Sequence, residues 1–179
     1  MKTIQIITAI LFTVIVNQVV QAQEWSYPAI KKYGGIIYYK NAEEQPVKGQ
    51  NYKLLFDIKS DKEKDGVNAG LWHIAREVNL LTAAGVPTHK IHIVAVVHGP
   101  ATNLVLSDDA YQKHYQKNNP NTQLIKDLIT HDVKIYLCGQ AGAEHHLDVA
   151  KELNKNVKLS LSALVLLPNY QYKGYALIP

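Results

Sequence analysis

The chain has 179 residues, enough for one domain or for one domain with a short appendage. Hydrophobic residues make up 47% of it and charged residues 19%, which excludes a mostly disordered protein. The formal net charge is only +4, and the basic residues are scattered, so the basic stripe of a dedicated nucleic-acid-binding protein is missing. A single cysteine excludes an intramolecular disulfide framework and a cysteine-rich zinc site.

Residues 1–22 have the pattern of a secretory signal peptide. Lys2 supplies the positive charge, residues 4–16 form the mostly apolar segment, and Ala22 lies at the expected cleavage site. An uncleaved membrane anchor is the alternative, but the apolar run is shorter than the ~20 residues that a spanning helix needs. The sequence therefore predicts an exported protein, periplasmic if the source has two membranes, with no membrane contact after cleavage.

Residues 23–50 carry mixed signals, because prolines and glycines interrupt a short apolar stretch over residues 36–39. We predict an N-terminal arm that wraps the domain and contributes one edge strand. An oligomer contact is the alternative role for this arm.

From residue 51 to residue 179 apolar strands alternate with amphipathic helices. We predict strands over residues 52–58, 91–97, 133–138, 157–161 and 175–178. We predict helices after the capping residues Asn68 and Ser107, around residues 124–129 and over residues 143–153. Residues 162–172 fit a helix or a strand, and Pro168 within them favours a broken helix. This order predicts a single three-layer α/β domain, in which a mainly parallel sheet of about five strands is flanked by helices in a Rossmann- or flavodoxin-like arrangement.

Open parallel sheets bind ligands at the carboxyl ends of their strands. Three predicted strands end there with a chemically useful residue, namely Asp57, His98 and Cys138. Whether these side chains converge depends on the strand order, which the sequence does not determine.

Cys138 is the strongest of these candidates, because a helix is predicted to begin shortly after it and a helix N-terminus stabilises a thiolate. Gly139 has no side chain to block an approaching partner. The alternative is a buried, inert cysteine, since free cysteine is among the most buried residue types.

His98 would act as a base or stabilise the thiolate, and Asp57 would orient it. The alternative for both residues is a structural role in the loops. His146 lies near the predicted buried edge of the helix over residues 143–153, which makes it a candidate to approach Cys138, and a structural role is its alternative. A metal site formed by Cys138, His98 and His146 lacks any ligand-spacing motif, and we predict neither a metal nor a cofactor.

Three segments resemble the DsrE/DsrF-like sulfur-relay family. They are Lys134 to Gln140 around the cysteine, Ile93 to Gly99, and Lys173 to Ile178 in the tail. The similarity spans about residues 51–179 and implies a compact α/β fold and assembly into homo- or hetero-oligomers. It also implies that Cys138 carries sulfur as a persulfide and exchanges it with a donor or acceptor protein.

In this interpretation Cys138 and His98 perform the chemistry, and the residues around them are supporting, namely Asp57, Gly99, Gly139, Gln140 and His146. An export signal departs from the cytoplasmic relay proteins of the family and indicates an exported branch with other partners. The alternative function is a non-catalytic module for small-ligand binding or assembly, with a structural cysteine.

Overall fold

The computed structural model of the protein describes residues 24–179. The predicted signal peptide lies outside these residues. Within them, no helix combines the length and apolar character that crossing a membrane requires.

Seven strands and six α-helices make up the described chain. In chain order they are β1 (Tyr52–Ile58), β2 (Glu63–Lys64), β3 (Val67–Asn68), α1 (Ala69–Ala83), β4 (Ile91–Val97), α2 (Asp108–Tyr115), α3 (Thr122–Thr130), β5 (Lys134–Cys138), α4 (Gly139–Glu144), α5 (Val149–Glu152), β6 (Lys158–Ser160), α6 (Ala163–Tyr172) and β7 (Ala176–Ile178). Short 3₁₀ helices cover Thr88–Lys90 and Gly99–Val105.

The central sheet has five parallel strands in the order β6-β5-β4-β1-β7. The strand predictions are therefore confirmed to within a residue or two at each end. Ile58, Val97 and Leu137 share one level of the sheet, because the register pairs Ile58 with Val97 and Val97 with Leu137. The carboxyl ends of β1, β4 and β5 consequently lie side by side.

The two faces of the sheet are covered differently. Helices α1 and α3 pack on one face, where Phe56, Ala95 and Leu137 join the larger part of the core. On the opposite face α6 packs on β1 and β4, and Leu166 meets Val96. This arrangement confirms the predicted three layers, since alternate residues of each strand face opposite layers.

The helix predicted over residues 143–153 is wrong. The chain instead forms the short helices α4 and α5, separated by a turn. His146, two residues after the end of α4, adopts the left-handed conformation with a φ of 55°. Its N–H donates to the carbonyl of Ala143, and the Leu147 N–H donates to that of Gly142, which is a Schellman ending.

Helix α6 is continuous, contrary to the predicted break at Pro168. Packing of Ala163 and Leu166 on the sheet compensates for the hydrogen bond that proline cannot donate. The segment after β1 contains the small antiparallel hairpin of β2 and β3.

The N-terminal arm packs on α1. Instead of the predicted edge strand, it forms a single antiparallel bridge between Ser26 and Ile36. The fully buried amide of Asn79, on α1, binds the arm through five hydrogen bonds to main-chain groups of residues 29–34. The arm is therefore attached to the domain through α1 and not through a sheet edge.

Candidate functional site

Cys138 is the last residue of β5 and directly precedes α4, so the predicted strand-end position is confirmed. Its Sγ accepts a hydrogen bond from the main-chain N–H of Ala163, at 3.2 Å. Ala163 is the first residue of α6, whose N-cap is Ser162. The sulfur thus faces an N–H at the positive end of a ten-residue helix, a position that favours a negatively charged sulfur atom.

Only 4% of Cys138 is exposed. It packs with Val96, Ala141 and Leu166, and the start of α6 lies against its sulfur. Of the two alternatives that the sequence left open, this conformation shows the buried cysteine. Access to the sulfur requires the start of α6 to move.

The loop between β6 and α6 is held in place by several polar contacts. Gln140 donates to the carbonyl of Leu161 at 3.2 Å, and the Ser160 hydroxyl donates to that of Ser162 at 3.1 Å. The Ser162 hydroxyl caps α6 by accepting from the Leu164 N–H at 3.1 Å. These contacts place the loop beside the start of α4, directly after Cys138.

Gly139 allows this close approach. The space that a side chain would need is occupied by the chain itself, not left open for a partner as the sequence suggested. A Cβ at this position would lie 2.9 Å from the Ser160 carbonyl oxygen and 3.2 Å from that of Leu161.

We therefore expect Gly139→Ala to lower the free energy of unfolding by about 1–3 kcal/mol, because main-chain atoms must shift to admit the methyl group. Urea denaturation of the purified protein measures this change. Gly49→Ala is the matched control, since its Cβ would meet no atom within 4 Å. Equal stability of the two variants would contradict the steric role of Gly139.

Asp57 and His98 form a direct pair. Nε2 of His98 lies 2.7 Å from Oδ1 of Asp57, and Lys59 Nζ lies 3.6 Å from the other carboxylate oxygen. Both members of the pair are partly buried, so the contact is only partly open to solvent. The predicted orienting contact between Asp57 and His98 is present in the structure.

The Asp57–His98 pair and Cys138 lie on the same face of the sheet. Asp57 alternates with Phe56, His98 directly follows Val97, and Cys138 directly follows Leu137, so all three residues belong to the face that α6 covers. His98 and Cys138 each come one residue after the paired positions Val97 and Leu137, on strands about 4.8 Å apart. The hydrogen bonds of the described residues join His98 to Asp57 and Cys138 to Ala163, not to each other.

His146 and Gly99 occupy different surroundings. His146 is exposed just beyond the C-terminal end of α4, whereas Cys138 precedes the N-terminus of that helix. The expected approach of His146 to Cys138 is therefore absent, because α4 separates them along its length. Gly99 adopts a φ of +55° in the turn that follows His98, which favours glycine.

Three tyrosines lie with Cys138 on the face of the sheet that α6 covers, namely Tyr136, Tyr170 and Tyr175. The hydroxyl oxygens of Tyr136 and Tyr170 lie 3.2 Å apart, and the ring of Tyr175 meets that of Tyr170 edge to face. Burial, and then the hydrogen bond to Tyr136, raise the pKa of Tyr170 above the ordinary range. Tyr170 is therefore a neutral phenol at physiological pH.

Comparison with known proteins matches residues 40–179 to the sequence model of the DsrE/DsrF-like family. The chain belongs to the DsrE/DsrF-like family. Among solved structures, it is similar to MTH1491, a protein of unknown function from Methanobacterium thermoautotrophicum, with a TM-score of 0.55 and 19% identity. That similarity covers 71% of this chain and 97% of the other, and at this identity it supports the fold alone. No curated protein matches the chain.

For this DsrE/DsrF-like protein, sequence reasoning missed the part played by α6. Ala163 and Ser162 lie more than 20 residues after Cys138, and neither has a side chain that signals chemistry. The sequence located the start of this segment at Ser162 but not its contact with sulfur. Among residues 24–179, no three histidine, cysteine or acidic side chains cluster as a metal site would require.

Proposed function

We propose that this DsrE/DsrF-like protein carries sulfur as a persulfide on Cys138. The observation that supports this function best is the hydrogen bond from the Ala163 N–H, at the start of α6, to the Sγ atom. A donor at this point would stabilise both a thiolate and a persulfide anion. The family membership points to the same chemistry.

The transfer is an exchange between sulfur atoms. The Cys138 thiolate attacks the outer sulfur of a donor persulfide, a new bond forms to Sγ, and the donor's sulfur–sulfur bond breaks. The donor leaves as a thiolate with the electron pair, and Cys138 holds the persulfide. An acceptor thiolate then attacks the outer sulfur and releases the Cys138 thiolate, so no external oxidant or reductant is consumed.

His98 is the residue that we assign to proton removal from the Cys138 thiol, directly or through one water. Its Nε2 is engaged by Asp57, which fixes the orientation of the ring, and Cys138 is the neighbouring residue on the next strand. Asp57 acts through His98 and is a positioning residue in this proposal.

A protein donor or acceptor and an oligomeric assembly belong to the same proposal. Leu161 is 72% exposed and Leu164 is 85% exposed, and both lie beside Ala163, which contacts the sulfur. Exposed apolar side chains next to a reactive group are typical of protein contact surfaces. Export to the periplasm stays a prediction from residues 1–22.

One observation favours the second candidate function, a non-catalytic binding or assembly module. The 4% exposure of Cys138 is typical of a structural cysteine that fills a small apolar site. The two candidates differ in whether the native protein accepts sulfur.

We expect the native protein to gain one sulfur atom when it is incubated with a low-molecular-weight persulfide donor, as measured by intact-protein mass spectrometry. Cys138→Ser should abolish this gain, since the chain has no other cysteine and a serine hydroxyl is not ionised at neutral pH. Alkylation of the native and urea-denatured protein provides the control for access. If Cys138 takes neither sulfur nor alkylating reagent until the protein is denatured, the structural role is correct and the relay is not.

A further inference from the structure

A cleft of about 440 Å³ lies at the amino-terminal edge of the sheet, opposite the edge that carries Cys138. Its size falls within the range of roughly 300–1,000 Å³ that is usual for small-molecule sites. The proposed sulfur chemistry does not use this cleft.

The cleft exists because the strands begin at different levels. Pairing between β4 and β5 starts at Val94 and Lys134, so the first three residues of β4, Ile91 to Ile93, extend beyond β5. Strand β6 begins later again, opposite Tyr136. Each step leaves a strand edge without a neighbouring strand, and such edges present main-chain N–H and carbonyl groups.

Basic side chains surround the cleft that these staggered strands form. Lys134, Lys158, His89 and His92 line the cleft, together with a single carboxylate, that of Asp132. In the described part of the chain, the salt bridges join other groups, namely Asp57 with Lys59 and His98, Glu152 with His114, and Asp148 with Lys151. The two lysine ammonium groups are therefore free to bind an anion.

Part of the lining is apolar. Ile129 contributes partly exposed aliphatic surface and Tyr175 a partly exposed aromatic ring, whereas Ile93, Val133 and Ile135 are buried at the base of the cleft. A site that combines free cationic groups with aliphatic and aromatic walls matches a ligand with an anionic head and an apolar body.

We propose that this cleft binds a small organic anion, with its charged head between Lys134 and Lys158 and its apolar body against Ile129 and Tyr175. The site is separate from Cys138, so the failure of one proposal does not contradict the other. Binding to the cleft should be the same in the Cys138→Ser variant.

The test uses benzoate as the probe and follows amide chemical shifts of the isotope-labelled protein. We expect saturable shifts for residues 89–94 and 132–135, and much weaker effects from benzyl alcohol, which has the same ring without the charge. The double variant Lys134→Gln and Lys158→Gln should weaken benzoate binding roughly tenfold or more, as expected for loss of charge-assisted hydrogen bonds.

Lys117→Gln is the matched control, because Lys117 is exposed and does not line the cleft. Equal binding of benzyl alcohol, shifts confined to other surfaces, or unchanged affinity in the double variant would overturn the proposal. Competition by inorganic sulfate at an affinity similar to that of benzoate would overturn the assignment of an organic ligand.

Discussion

Replacing Asn79 by alanine is expected to lower the free energy of unfolding by at least about 3 kcal/mol. The Oδ1 atom of Asn79 accepts from the N–H groups of Ala29 and Ile30, at 2.8 and 2.9 Å. Its Nδ2 atom donates to the carbonyls of Ile30, Tyr33 and Gly34, at 3.0 to 3.2 Å. Each buried polar group that loses its partner costs about 1–3 kcal/mol, and alanine replaces none of these bonds.

Urea denaturation measures the loss, and hydrogen exchange of residues 29–34 shows whether the arm separates from α1 before the domain unfolds. Asn79→Asp keeps an acceptor for the two N–H groups but cannot donate to the three carbonyls while it is ionised. Its stability therefore reports the contribution of the donated bonds alone. Asn118→Ala, at an exposed position, is the control for a surface asparagine. A loss in Asn79→Ala no larger than in this control would show that the arm is not held by the amide.

The position of Gly34 explains why the arm depends on side chains of α1. A Cβ at Gly34 would lie 2.2 Å from the main-chain nitrogen of Arg76, and its φ is +63°. The arm therefore runs against the backbone of α1, where no water fits between the two chain segments. Its inward-facing carbonyls have to be satisfied by side chains of the helix. Asn79 binds those of Ile30, Tyr33 and Gly34, and Arg76 Nε donates to that of Gly35 at 3.1 Å.

The second large effect concerns the sulfur chemistry. His98→Ala is expected to slow sulfur loading of Cys138 by about a hundredfold, the low end of the usual contribution of a general base. Asp57→Asn should give a smaller loss, about tenfold, because it weakens the orientation of the ring and leaves the imidazole in place. The rate of mass gain after mixing with the persulfide donor is the measurement.

Free imidazole should partly restore the rate of His98→Ala, which a purely structural role of His98 would not produce. His114→Ala is the control, since that histidine pairs with Glu152 at 3.0 Å on a different part of the surface. Unchanged loading in His98→Ala would contradict the assignment of the base but leave Cys138 as carrier. Stabilisation of the thiolate would then rest on the main-chain N–H at the start of α6 without a base.

Local patterns predicted most of the elements. The strands at 52–58 and 91–97 were predicted at their observed bounds, since each is a short apolar run between breaking signals. Asn68 and Ser107 cap their helices as predicted, with side chains that accept main-chain N–H groups. These features depend on neighbours within a few residues, which the sequence displays directly.

One error has a local cause, and the other arose where a distant contact overrides local preference. The pattern of Ala143, Leu147 and Ala150 predicted one helix, but a Schellman ending at His146 separates two short ones. Pro168 suggested a break in α6, but burial of Leu166 against the sheet keeps the helix continuous.

The sequence by itself determined a single α/β domain with Asp57, His98 and Cys138 at strand ends, because periodicity and capping are local properties. Only the tertiary structure decided that β1, β4 and β5 are adjacent, that Asp57 meets His98, and that the start of α6 lies against the sulfur. Those contacts join residues 25 to 41 positions apart. They follow from how the strands order themselves and how helices cover the two faces, which no local pattern encodes.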